Sequence, residues 1–180
     1  MAYSEQLANR EVRIADELQL DAPIEVVWRA IADPVAHARW HPFVSAISGG
    51  HELNETRSCS VCVGNKEGTT KERCVEREEG ARIGWAIEED STGFGRMVTG
   101  WRSGFALVER DGATLVTAES TFHPSNLLLR AMLPLIRRKF HQTQQSILRG
   151  LQHAVEGSPD REEQQLDGQS LRREQDEVET

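Results

Sequence analysis

The sequence lacks the usual features of secreted and membrane-spanning proteins. Its 180 residues include three cysteines, an odd number that does not indicate a disulfide framework. No apolar run reaches the roughly 18 residues that a membrane-spanning helix requires. The N-terminus has no basic stretch followed by an apolar stretch, so we expect a cytoplasmic protein with free thiols.

Positive charge is also in short supply. The chain carries 21 Lys and Arg against 29 Asp and Glu, a net charge of -8. This balance argues against nucleic acid and against an anionic membrane as the main partner. A content of 38% hydrophobic and 28% charged residues is typical of one soluble domain, with some chain to spare.

Motifs that bind metals or nucleotides are missing too. No nucleophile elbow, phosphate-binding loop or dinucleotide fingerprint occurs. Cys59 and Cys62 form a CxxC, but on a strand their side chains point to opposite faces, which disfavours zinc and redox chemistry. The histidines lack metal-ligand spacing, and only His41 is a candidate for the mouth of a binding cavity. We therefore predict no metal and no cofactor.

The longest regular pattern is a helix over Ser125–Glu156. Apolar residues recur there at steps of three and four, and the polar residues fall on the other side. Ser125 is a suitable N-cap, and Pro134 predicts a kink near Ala131. Gln144 interrupts the apolar stripe, so its amide needs a partner. A helix of this kind requires a sheet to cover its stripe.

The preceding chain divides into strands and short helices. Residues 1–10 form a lead-in without a pattern, and alternating residues over 12–20 predict a strand. Pro23 and the pair Asp33-Pro34 mark the starts of two short helices. Glycine-rich turns then separate about six strands, at roughly 44–53, 56–64, 69–78, 82–89, 97–109 and 114–122.

We predict one α+β domain over residues 11–156, with a curved antiparallel sheet of about seven strands wrapped around the long helix. A cavity is expected between the two layers. Residues 157–180 are predicted to be an acidic, disordered tail, because residues 158–180 hold eight acidic residues against three Arg. Alternatively, the tail forms a helix that binds a protein partner or docks on the domain itself.

Four stretches carry a family resemblance: Asp21–Trp28, Trp40–Phe43, Lys71–Glu76 and Ala118–Pro124. In order and spacing they resemble the START/Bet v 1-like (SRPBCC) superfamily, and within it the bacterial polyketide cyclase/dehydrase and lipid-transport-like group. The resemblance implies a helix-grip fold with a large hydrophobic cavity. It implies no reaction, because members include binders, transporters, receptors and enzymes.

Strand phase predicts which side chains face this cavity. If a hairpin turn centres on Lys66 and Glu67, then Cys59 lies opposite Cys74, and Val61 lies opposite Glu72. In the predicted strand at 56–64, Cys59, Val61 and Val63 form an apolar face. That face should point inward, which places Glu72 in the cavity. The resemblance implies the same orientation for Glu72.

Glu119 is the second candidate carboxylate. The resemblance implies that it points inward, although periodicity slightly prefers the alternate residues of its strand. In an apolar cavity, Glu72 and Glu119 would have raised pKa values and could act as catalytic acid or base. Alternatively, they lie at the rim or form ordinary polar contacts with Arg73, Arg82 or Arg102.

Aromatic and apolar residues complete the predicted ligand site. Trp85 shares a strand phase with Ile83 and Ile87, which makes it a candidate aromatic wall. Each aromatic residue alone is as well explained as core packing. The amide of Gln144 is expected to bind ligand, water or Glu119. The full set of predicted ligand-binding residues is Val61, Glu72, Cys74, Trp85, Trp101, Phe105, Glu119, Phe140, Gln144 and Leu148.

Three functions follow from these features. The first is binding or transport of a hydrophobic small molecule, of aromatic, polyketide-like or lipid character. The second is a cyclase or dehydratase in which Glu72 or Glu119 moves protons. The third is an interaction module that acts through the acidic tail. A monomer and a homodimer are both compatible with the sequence.

Overall fold

The computed structural model describes residues 11–157. The predicted lead-in of residues 1–10 and the tail after Gly157 lie outside the described residues, so both remain predictions. Among the described residues, no helix is both long enough and apolar enough to cross a membrane.

Within residues 11–157, seven strands form one antiparallel sheet in the order β1-β7-β6-β5-β4-β3-β2, and four α-helices accompany it. The helix-grip arrangement predicted from the sequence is thereby confirmed. The elements are β1 (Val12–Leu20), α1 (Ile24–Ala32), α2 (Pro34–Trp40), β2 (Val44–Gly49), β3 (Thr56–Val63), β4 (Lys66–Glu78), β5 (Arg82–Asp90), β6 (Val98–Arg110), β7 (Ala113–Pro124), α3 (Leu127–Ala131) and α4 (Leu133–Glu156).

The hairpin between β3 and β4 differs from its predicted register. Val63 pairs with Lys66, so Gly64 and Asn65 form the turn, and Gly64 adopts a φ of 65° that glycine tolerates without strain. Cys59 consequently lies opposite Thr70 instead of Cys74. This shift of four residues is even, so Thr70, Glu72 and Cys74 keep the inward face that the sequence predicted.

The long helical segment is broken near the predicted position. Met132 ends α3 and precedes α4, and Pro134 lies in the first turn of α4, where its missing N–H costs nothing. The N-cap differs from the prediction. Asn126, rather than Ser125, accepts a hydrogen bond from the backbone N–H of Leu129, at 2.8 Å.

The core lies between the concave face of the sheet and α4, which also packs on β1 and α1. It consists of two apolar clusters. On α4, Leu148 belongs to the first cluster and Phe140 to the second, while the buried Gln144 lies between them. On β7, the buried Ser120 lies between Ala118 and Phe122 in the same way. A thin polar layer therefore separates the two clusters.

Candidate ligand-binding site

A buried ion pair joins β3 and β4 on the concave face. Arg57 and Glu72 are directly paired across the two strands, and only 6% and 9% of their surfaces are exposed. Nε and Nη2 of Arg57 donate to Glu72 Oε2 at 2.9 and 2.7 Å. The hydroxyl of Thr70 donates to Glu72 Oε1 at 2.8 Å. Both carboxylate oxygens are thus engaged by protein donors.

The guanidinium of Arg57 also lies over an aromatic wall. Its Cζ is 3.7 Å from the centroid of the Trp85 ring, a cation–π contact. Trp85 is 2% exposed, and its Nε1–H is buried without a hydrogen-bond partner. A buried indole N–H normally has an acceptor. The Arg57–Trp85 contact therefore lies next to an unused hydrogen-bond donor.

Helix α2 places a second set of rings against this wall. His37, Trp40 and His41 share one face, because their spacing is three and four residues. The His37 ring stacks on Trp40 and on His41, with centroids 4.9 and 5.1 Å apart. It also meets the edge of Trp85 at 5.8 Å. Asp33 holds the start of α2 by accepting hydrogen bonds from the first turn.

Both histidines are neutral near pH 7. Burial, followed by the charges of His41 and Arg57, lowers the pKa of His37 well below its usual value. Burial and the charge of Arg57 lower the pKa of His41 to about 4. Nδ1 of His37 donates to the Ile31 carbonyl at 2.9 Å. The site therefore contains uncharged imidazole rings beside a permanent cation.

Lowering the pH from about 7.5 to about 5 is expected to reduce the free energy of unfolding, with His41 alone contributing about 2 kcal/mol and His37 adding to the loss. When the pKa of a histidine is lower in the folded state, the unfolded chain binds the proton at a higher pH than the folded protein does. Proton binding then favours the unfolded state. Stability is therefore lost as the pH falls from about 6.5, the unfolded pKa, towards the folded value of about 4. Urea denaturation at both pH values measures the difference.

The exposed His153 provides the control for this prediction. His41→Gln should remove a large part of the pH dependence, whereas His153→Gln should leave it unchanged. Equal pH dependence in the two variants would contradict the assignment to His41.

The thiol of Cys59 adds no nucleophile. Burial, followed by the negative charge of Glu72, raises its pKa to about 12, so the thiol stays protonated at neutral pH. The three cysteines are free thiols in the structure, and Cys59 is buried while Cys62 is exposed.

Most of the residues predicted to bind ligand lie on the concave side. Trp85, Phe105, Cys74 and Leu148 are buried in the first cluster. Trp101 and Phe140 are half-buried in the second, and Val61 is half-buried on β3. Nε2 of Gln144 donates to the carbonyl of Ile14 at 3.1 Å, whereas its Oε1 is buried without a partner.

The inward orientation expected for Glu119 is wrong. On β7 the buried residues are the even-numbered ones from Thr114 to Phe122, and Glu119 belongs to the opposite, convex face. There its carboxylate forms an ion pair with Arg13, an exposed residue of β1. Glu119 is therefore not the partner of Gln144, and it does not face Glu72.

Two hollows are found on the outer surface of the sheet. One of about 400 Å³ lies where Gly84 and Gly104 carry no side chains, between Arg102 and Glu119. The other, of about 350 Å³, lies beside Ser58 and Lys71. Polar and charged groups border both. The large central cavity implied by the family resemblance stays a prediction.

Apart from His41, which was a candidate for the cavity mouth, two parts of this site were missed in the sequence. Arg57 shares the inward strand phase of Cys59 and Val61, and extending that pattern by one step would have found it. The spacing of His37, Trp40 and His41 on one helical face is the signal for the second part. Neither pattern resembles a known motif, and both become meaningful only when Arg57 of β3 and His37 of α2 meet at the Trp85 ring of β5. Within residues 11–157, no cluster of His, Cys, Asp and Glu is arranged to hold a metal ion.

Residues 11–156 match the family model described as polyketide cyclase / dehydrase and lipid transport. No protein of curated function matches the sequence.

Several crystal structures share the fold at low sequence identity. A START superfamily protein from Mycobacterium smegmatis is 14% identical, with a TM-score of 0.67 over 81% of this chain and 97% of that one. The Zhui aromatase/cyclase from Streptomyces sp. R1128 is 14% identical, with a TM-score of 0.65 over 82% and 94%. Norcoclaurine synthase from Thalictrum flavum is 14% identical, with a TM-score of 0.63 over 83% and 89%. These likenesses establish the fold and no more.

Proposed function

Because the chain belongs to the polyketide cyclase/dehydrase and lipid transport family, we propose that it binds an apolar small molecule that carries one acidic or hydrogen-bond-accepting group. The accepting group would lie at Arg57 and Trp85, and the apolar body would lie along the concave face towards Gln144. The buried Arg57–Glu72 pair is the observation that carries this proposal.

The pair is hard to explain as a source of stability. Removing two charges from water costs several kcal/mol for each ion, and an apolar pair of similar volume is often as stabilising or more so. A buried cation next to an unused indole N–H is instead suited to a ligand acceptor. The neutral rings of His37 and His41 add no competing positive charge near pH 7.

Binding is favoured over acid–base catalysis by Glu72. Both of its oxygens already accept hydrogen bonds, from Arg57 and from Thr70. A carboxylate held in this way orients the guanidinium rather than abstracting a proton from a ligand. The other candidate base, Glu119, lies on the convex face.

A thermal-shift panel with the full chain tests the proposal. Each probe is paired with an analogue that lacks its acidic group: a fatty acid with its methyl ester, a flavonoid phenol with its methyl ether, and a polycyclic carboxylic acid with its hydrocarbon. A ligand at about 100 times its dissociation constant should stabilise the fold by roughly 2.7 kcal/mol, which raises the melting temperature by a few degrees.

At least one acidic probe should raise the melting temperature, and its uncharged analogue should raise it less. Stabilisation by neutral analogues alone would contradict a role for Arg57. If no probe of any class stabilised the chain, the concave face would be closed core, and the proposal would fail.

A further inference from the structure

The start of the long helical segment presents apolar side chains to solvent. Leu128 is 73% exposed, Leu135 57%, Leu127 53% and Met132 45%. Leu128, Met132 and Leu135 are spaced by four and three residues, which places them on one face of the kinked α3–α4 segment. Met97 is 44% exposed, and its carbonyl accepts a hydrogen bond from the N–H of Ser125 at 3.1 Å, which brings its backbone next to the start of this segment. We name these five residues the apolar patch.

The apolar patch is not an opening of the core. The opposite side of the same segment is covered, because Leu129, Leu133, Ile136 and Phe140 belong to the second core cluster. The segment is thus apolar on both sides over about two turns. A solvent-facing helix surface is normally polar, and a contiguous apolar patch marks a binding surface.

Basic side chains border the patch. The half-buried Arg130 lies between Leu128 and Met132 in the sequence, and the exposed Arg137, Arg138 and Lys139 follow in the first turns of α4. None of these four residues forms an ion pair with a described residue. The sequence contains no Asp or Glu between Glu119 and Glu156. In a chain with a net charge of -8, residues 120–155 therefore carry five positive charges and no negative one.

We propose that the apolar patch and its basic border dock the domain on an anionic lipid bilayer. The leucines and methionines would enter the interface between head groups and acyl chains, and the cations would lie among the lipid phosphates. An amphipathic helix with an apolar face and Lys or Arg beside it binds membranes in this way. Basic residues next to a surface of anionic lipid add to the binding free energy.

The local charge favours a bilayer over a second copy of the chain. In a two-fold symmetric dimer through this face, the cluster of Arg137, Arg138 and Lys139 on one subunit would lie near the same cluster on the other. The like charges would then repel each other. A bilayer of anionic lipid is complementary to the same cluster without such a conflict. It also accommodates flexible apolar side chains that no groove surrounds.

Vesicle co-sedimentation of the full chain tests the proposal. Binding is compared for phosphatidylcholine vesicles with and without phosphatidylglycerol, at low and high salt. We expect binding to the anionic vesicles, weaker binding to the neutral ones, and a loss with salt. Replacing Arg137, Arg138 and Lys139 by Gln should weaken the partition coefficient roughly 100-fold, about fivefold for each charge.

Two matched variants control for general changes of charge and hydrophobicity. Leu128→Gln with Leu135→Gln should weaken binding about tenfold or more. Leu53→Gln with Val108→Gln changes two residues of similar exposure elsewhere and should have no effect. Replacing Arg29, Arg39 and Arg110 by Gln should likewise weaken binding much less than the change at Arg137, Arg138 and Lys139.

Three results would overturn the proposal. The first is absence of binding to anionic vesicles, and the second is equal binding to neutral ones. The third is equal loss in the patch and control variants. If vesicles did not bind and the Leu128 and Leu135 changes instead dissociated a dimer in solution, the face would belong to a second copy. Because ligand stabilisation is measured without lipid, failure here leaves the proposed function untouched.

Discussion

Replacing Arg57 by Met should lower the free energy of unfolding by about 3–5 kcal/mol. The change leaves the carboxylate of Glu72 buried without its cation, and the hydroxyl of Thr70 that still donates to it carries no compensating charge. Urea denaturation of the full chain measures the loss. An Arg57→Met variant as stable as the parent would mean that the pair is not desolvated.

The double variant Arg57→Met with Glu72→Leu should regain most of this stability. It removes both charges together, and apolar residues of similar volume replace a buried ion pair with little or no loss. We expect a stability within about 1 kcal/mol of the parent, because the hydroxyl of Thr70 also loses its acceptor. A double variant as unstable as the single one would show that the pair itself stabilises the fold.

Phe122→Ala should cost about 4 kcal/mol of unfolding free energy. Phe122 is fully buried on β7, in edge contact with Phe94 at 5.5 Å and tilted on Phe140 at 5.3 Å between ring centroids. Truncation leaves a cavity among rings that the polar layer at Gln144 separates from the first core cluster. Chemical denaturation measures the effect.

Phe122→Leu is the control for this prediction, because it keeps most of the buried apolar surface and should cost less than about 2 kcal/mol. A loss below about 1 kcal/mol in the alanine variant would contradict the packing of the second cluster.

The sheet and the orientation of most site residues could be predicted because turns and strand alternation are local signals. The β3–β4 hairpin shows the limit of such signals. The predicted turn at Lys66 and Glu67 was wrong, yet Glu72 still faced inward because the register moved by an even number of residues. The cross-strand pairing did change with the register. The prediction placed Val61 opposite Glu72, whereas the structure has Arg57 there.

Glu119 shows the opposite case. The alternation of β7 slightly favoured the correct, outward orientation, and the family resemblance overrode it. An error of one residue in strand phase reverses the face of every side chain. A weak local pattern was therefore more informative here than likeness to a distant family.

The remaining features depend on distant parts of the chain that a single sequence does not bring together. His37 and His41 lie on one face of α2, and the structure packs the ring of His37 against Trp85 of β5, which is far away in the sequence. Similarly, a net charge of -8 averages over the whole chain. The net charge therefore gave no indication of the basic cluster at 137–139. That cluster is recognised as part of a binding surface only when the structure places it next to exposed leucines.

The most direct test of the central claim compares two pairs of charges on opposite faces of one sheet. The acidic probe that stabilises the parent is titrated into the Arg57→Met/Glu72→Leu variant and into an Arg13→Met/Glu119→Leu variant, with affinity measured by calorimetry. The concave change should weaken binding about tenfold or more, because a charge-assisted hydrogen bond to the ligand contributes about 1.5–3 kcal/mol. The convex change should leave affinity unaltered. Equal affinity in both variants would place the ligand away from Arg57 and contradict the account.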